Sequence, residues 1–81
     1  MEEKKYYYVS IMDGPGRYIL AAGPFLTFNE ASMTVRSVND KACELDPKAW
    51  FYAYGTCSIT RMLDDTRPLP TGVLNKFLEL S

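Results

Sequence analysis

Histidine does not occur anywhere in the 81 residues. Its absence removes the commonest general base and the commonest metal ligand together. Cysteine is nearly as scarce. Cys43 and Cys57 stand alone, without the paired spacing of a zinc site, and neither has a base beside it to make a nucleophile. In a reducing compartment they read as small, buried or half-buried hydrophobes; a disulfide between them would need a geometry the sequence does not reveal. No sign of charge dominates either. Nine basic and ten acidic residues are scattered to a net −1, which argues against the basic face of a duplex-binding protein. No apolar run is long enough to span a bilayer, and no basic-then-apolar leader opens the chain. Gly14-Pro15-Gly16 lacks the lysine and serine of a phosphate-binding loop, and Asp64-Asp65 reads as a solvated pair rather than a metal site. These absences point to a non-enzymatic protein with no cofactor and no metal.

What is present is a single domain with one modest core. Residues 1–5 read as a solvated start. Tyr6–Met12 is aromatic and β-branched and predicts a first strand. Pro15 and Gly16 suit the central positions of a type II turn, so Arg17–Ala22 returns as the second strand of a hairpin, with Gly23-Pro24 ending it. Thr27-Phe28-Asn29-Glu30 matches a capping box, and Ala31, Val35, Val38, Ala42 and Leu45 recur on one face of the helix it opens. Met33, Arg36, Asp40 and Glu44 fall opposite. Asp46-Pro47 closes that helix, because the residue before proline is pushed out of the α region. Ala49–Arg61 alternates as a third strand; residues 62–70 form an irregular connector; Thr71 caps a short final helix bearing Val73, Leu74, Phe77 and Leu78. The expected class is α+β, in the order β-β-α-β-α. A three-stranded antiparallel sheet would carry the long helix on one face, with a short C-terminal helix after it.

The run Trp50-Phe51-Tyr52-Ala53-Tyr54-Gly55-Thr56-Cys57-Ser58-Ile59-Thr60 carries the functional reading. Extended, it puts Trp50, Tyr52 and Tyr54 on one side and Phe51, Ala53, Gly55, Cys57 and Ile59 on the other. The small residues of the second set suit the underside of a helix. With Val9 and Ile11 also under the helix, Tyr6 and Tyr8 would join Trp50, Tyr52 and Tyr54 on the outer sheet face, a larger apolar patch than a monomer usually leaves bare. If the last helix folds back, Val73, Phe77 and Leu78 would cover these rings as ordinary core. If it does not, the rings read as a protein-binding surface, since tyrosine and tryptophan bury much area at little entropic cost. Tyr8, Tyr52 and Tyr54 would be the anchors, Tyr6 and Trp50 would flank them, and Arg17 or Arg61 would form the rim. A homodimer through the sheet faces or an edge strand belongs to the same reading. The competing reading stacks single-stranded nucleic acid on the same rings, with Lys4, Lys5, Arg17, Lys48 and Arg61 as the available cations.

Gly23-Pro24-Phe25 with Glu30-Ala31, Asp46-Pro47 with Ala49, Phe51-Tyr52-Ala53-Tyr54-Gly55-Thr56 and Pro70-Thr71-Gly72-Val73-Leu74-Asn75 together resemble small proteins encoded by tailed bacteriophages and prophages. The resemblance runs over most of residues 6–76. It implies a setting rather than a chemistry: a cytoplasmic accessory protein of an infected bacterium, acting by binding a host or defence protein.

Overall fold

Ten consecutive residues, Glu3–Met12, form the central strand β1 of a three-stranded sheet ordered β2-β1-β3. The computed structural model describes residues 3–12, 14 and 16–78, with the main chain alone at Trp50 and Phe51. Strand β2 is Tyr18–Phe25, β3 is Ala53–Met62, and both run antiparallel to β1. The long helix α1, Phe28–Leu45, crosses one face of the sheet. Among the described residues there are also two short 3₁₀ helices, Pro47–Phe51 leading into β3 and Asn75–Leu78 near the C-terminus. The α+β class, the antiparallel sheet and the single long helix are thus as expected; the last helix is a 3₁₀ turn, and 3–5 belong to β1.

The helix begins and ends where its local chemistry dictates. The Thr27 hydroxyl accepts the Glu30 N–H at 3.1 Å, satisfying one of the donors that a helix start leaves unpaired. The other half of the expected box differs: the Glu30 carboxylate accepts a hydrogen bond from the Thr27 hydroxyl at 3.2 Å. At the far end Asp46 adopts extended φ and ψ, and its carboxylate accepts the Lys48 N–H, starting the 3₁₀ helix that Pro47 opens. Ala31, Val38 and Ala42 are buried on the sheet, Val35 packs beside them, and Leu45 is exposed. Met33, Arg36, Asp40 and Glu44 face solvent.

The core between helix and sheet is narrow. Val9 and Ile11 of β1 meet Ala21 and Ala22 of β2, Ala31, Val38 and Ala42 of α1, Ala49 and Leu74. Small side chains do let the helix come close, but they belong to β2 and α1, not to β3. Gly16 has the positive φ that the hairpin turn requires, and Arg17 N–H reaches Gly14 O at 3.3 Å; Asp13 and Pro15 of that turn lie outside the described residues.

The second strand does not stop at Gly23-Pro24. It continues to Phe25 through a cis Gly23-Pro24 peptide, and the pairing with β1 slips on either side of Val9↔Ala22. Extra residues on β2 absorb the proline as bulges, which is how a strand at a sheet edge tolerates one. The third strand begins at Ala53, because 47–51 coil into the 3₁₀ helix that was expected to be strand.

Residues 63–74 contain no helix or strand, yet the segment has a definite course. The Tyr8 hydroxyl donates to Pro70 O at 2.7 Å on the face away from α1. Gly72, Val73 and Leu74 then donate their N–H groups to Gly23, Leu20 and Ala21 carbonyls along the β2 edge. Leu74 and Leu78 finish on the helix side of the core. This segment is therefore a strap that crosses the outer face, wraps the β2 edge and by Leu78 lies beneath the helix.

Candidate functional site

The β1–β3 register decides where the rings go. Tyr8 stands opposite Cys57, Tyr6 opposite Ile59, Ser10 opposite Gly55 and Met12 opposite Ala53, while Val9 faces Thr56 and Ile11 faces Tyr54. Directly opposed residues of an antiparallel pair share a face. Ala53, Gly55, Cys57 and Ile59 therefore lie outside with Tyr6 and Tyr8, and Tyr52 and Tyr54 lie on the helix side with Val9 and Ile11. The expected row of rings on one surface is not formed. The alternation within β3 is as read, but its two faces are exchanged relative to β1.

Every predicted site residue except Trp50 has a definite place. Tyr8 is wholly buried under the strap, its hydroxyl held by Pro70 O. Tyr54 packs against the helix-side core and donates its hydroxyl to Ala49 O at 2.9 Å. Burial raises both phenols above their ordinary value, and for Tyr54 the neighbouring Cys43 adds to the shift. Tyr52 packs on the same core and donates to Asp46 at 3.3 Å. These three are structural tyrosines: an apolar ring fills the core and a hydroxyl satisfies a carbonyl or carboxylate. The Trp50 side chain lies outside the described residues.

The two arginines sit at opposite ends. Arg17 is exposed at the mouth of a cleft of about 490 Å³ that also takes in Ile11, Ile19, Tyr52 and Asp46 on the helix side. Arg61 is on the outer face beside Tyr6 and Lys4, and its guanidinium donates to Arg67 O at 3.2 Å and lies 3.5 Å from Asp65. Asp65 in turn grips Arg67 through both carboxylate oxygens, and those bonds hold its carboxyl well below the usual carboxylate range. Lys4 stands 5.6 Å from the Tyr6 ring centroid. Arg61 is thus part of the network that fixes the strap's first turn, and Tyr6 lies beside it.

The strap leaves the other end of the outer face bare. There Ser10, Met12, Tyr18, Leu20, Thr56, Cys57, Ser58 and Ile59 line a shallow groove of about 320 Å³. Tyr18 is 64% exposed and Met12 45%. No lining residue is charged. Burial pushes the Cys57 thiol up, with the Ser10 hydroxyl pulling weakly the other way, so this cysteine is an apolar surface rather than a thiolate. Cys43 packs on the helix side, and both cysteines are free. Tyr18 and Leu20 were missed as site residues. The signal for them was the hairpin itself, since its return strand places them opposite Met12 and Ser10.

Among the described residues no cluster of acidic and cysteine side chains could hold a metal ion, and no helix is long and apolar enough to cross a membrane. No protein-family model, no curated protein and no solved structure matches the chain.

Proposed function

We propose that this chain is a non-catalytic binding protein that docks a protein partner on the bare end of its outer sheet face. The observation that carries this reading is the uncharged groove walled by Tyr18, Met12, Leu20 and Ile59. A groove of this kind favours an apolar anchor from another protein: aromatic and methionine side chains give contact area, and the Ser10 hydroxyl gives a polar edge. It offers nothing to a phosphate chain, and Arg61, a cation of the same face, is already engaged by Asp65, so the reading prefers protein to single-stranded nucleic acid. A bacterial host or defence protein as partner, and a cytoplasmic setting, belong to the same proposal; the resemblance to phage-encoded proteins supports them.

The test compares wild type with Tyr18→Ser/Leu20→Ser on the outer face and Arg36→Glu/Asp40→Lys on the exposed side of α1. A partner kept by the helix variant, lost by the face variant and bound with little salt dependence and a negative heat-capacity change supports the docking face. Binding of a single-stranded oligonucleotide that weakens steeply with salt overturns it. So does a partner lost with the helix variant and kept with the face variant.

A further inference from the structure

The two edges of this sheet are finished in opposite ways. At the β2 edge the strap supplies N–H donors to Leu20, Ala21 and Gly23, and the Asn75 carboxamide binds both the N–H and the C=O of Gly23. Two register shifts bend the same strand. At the β3 edge the described residues supply none of this. Strand β3 pairs with β1 through ten consecutive residues, Ala53–Met62, without a shift. Among the described residues its outward N–H and C=O groups meet no partner until Met62, whose carbonyl accepts Asp65 N–H at 3.0 Å. The strand holds no proline and no lysine, and its single charge, Arg61, is drawn off to Asp65 and Arg67 O. A long, regular, nearly uncharged edge is the kind that natural sheets protect, because it templates another strand.

We propose that β3 pairs antiparallel with β3 of a second copy of this chain, forming a closed dimer with one continuous six-stranded sheet. Symmetry fixes most of the geometry. Opposed residues in an antiparallel ladder share a face, so a two-fold axis normal to the sheet must pass through a residue paired with itself. The chain turns away at Met62, whose carbonyl is already taken, so the usable stretch is Ala53–Arg61, and its middle residue is Cys57. That register sets Gly55 against Ile59 and Ala53 against Arg61 on the outer face, and Thr56 against Ser58 and Tyr54 against Thr60 on the helix side. No like charges meet, and the hydroxyl pair is a favourable cross-strand combination. The asymmetry of the edges also says why assembly stops at two. Once the β3 strands are joined, both remaining edges are β2, and both are strapped.

This dimer does not depend on the docking face proposed above, though it would set two copies of that face side by side on one surface. Sedimentation velocity from low-micromolar concentration upward tests it, with Ser58→Lys/Thr60→Lys as the edge variant and Tyr18→Ser/Leu20→Ser as the face variant. Ser58 and Thr60 are exposed, and a melting curve at the lowest concentration checks that the edge variant is folded. The expected result is a dimer in wild type and in the face variant, with the dissociation constant of the edge variant raised roughly tenfold or more. A short bis-maleimide should link wild-type chains through Cys57, and Cys57→Ser should abolish the link; this measurement needs no edge variant to fold. A wild type that stays monomeric at every concentration overturns the proposal. So does a dimer that the two lysines leave unchanged, or one dispersed by the face variant instead.

Discussion

Asn75 is the residue whose replacement most directly tests the strap. It is 5% exposed; its Oδ1 accepts Gly23 N–H at 3.0 Å and its Nδ2 donates to Gly23 O. The carboxamide therefore acts as a strand partner one residue long, at the point where Pro24 interrupts the edge. Asn75→Ala has two separable costs. Gly23 N–H loses its partner and is left buried, about 1–3 kcal/mol, and Gly23 O loses one of two bonds, about 0.5–1.5 kcal/mol. The second cost stays small because Gly72 N–H still reaches that carbonyl at 3.2 Å. The sum is about 1.5–4.5 kcal/mol, a large share of the roughly 4–12 kcal/mol expected for 81 residues at about 0.05–0.15 kcal/mol each. Urea unfolding should show the midpoint falling with little change in slope.

Asn75→Asp sharpens the test. An ionised carboxylate keeps the Gly23 N–H bond and sets an oxygen against Gly23 O, whereas a protonated one donates there as the amide does. The native form thus favours the proton, and the introduced carboxyl is raised above its unfolded value of about 3.9. The variant's stability is fullest below that value and is lost as pH rises through the raised native one. The deficit against wild type should be small near pH 4 and large near pH 7. An Asn75→Ala deficit under about 0.5 kcal/mol would refute the account of the strap. An Asn75→Asp deficit that is the same at both pH values would refute the donor role of Nδ2.

Gly72→Ala would set a Cβ 2.6 Å from the Ala22 amide nitrogen and 2.7 Å from the Ala21 carbonyl carbon, main-chain atoms that cannot swing aside. The cost should be about 1–3 kcal/mol, with faster hydrogen exchange at Val73 and Leu74 as the strap loosens. Burial raises the Tyr8 and Tyr54 phenols above 10.0 in the native state, so the unfolded chain loses those protons first and stability must fall as pH climbs past that value. Tyr8→Phe and Tyr54→Phe should each flatten the alkaline decline in urea midpoint, at a cost near neutrality of about 1 kcal/mol for the lost hydroxyl bond. At the acid end the Asp65 carboxyl is held down by Arg67. Its stabilising contribution is present above the ordinary carboxylate value and is lost as pH falls towards the lowered one, so Asp65→Asn should reduce the slope of acid unfolding.

The helix was legible because its signals are local. Thr27 and Glu30 lie within one turn, Asp46-Pro47 are adjacent, and the spacing of Ala31, Val38 and Ala42 reports a face without reference to anything else. The hairpin turn was legible for the same reason. The β3 face was not. Its alternation is a local property, but which side meets the helix depends on its register against β1, set by contacts some fifty positions apart in the chain, such as Tyr8 with Cys57. Small residues at Ala53, Gly55 and Cys57 suggested close helix approach, and Ala21, Ala22, Ala31 and Ala42 already provide it. The strap was illegible for a related reason. Residues 63–74 satisfy their main chain against Arg61, Tyr8 and the β2 edge rather than in a periodic element, so no repeat in the sequence announces them.

The tyrosines show why counting aromatics overstates an interface. Tyr8, Tyr52 and Tyr54 each spend a hydroxyl on an internal acceptor, Pro70 O, Asp46 and Ala49 O. In a core built mostly of alanine and valine these rings supply bulk that the small side chains cannot. Their hydroxyls then fasten the irregular segments, the strap and the 3₁₀ helix, that would otherwise have little to hold them. Among the described tyrosines Tyr18 differs: it is the most exposed, and it stands on the end of the sheet that the strap does not reach. The strap thus does two things at once. It buries one half of the outer face and one edge of the sheet, and so concentrates whatever recognition this surface performs on the other half and the other edge.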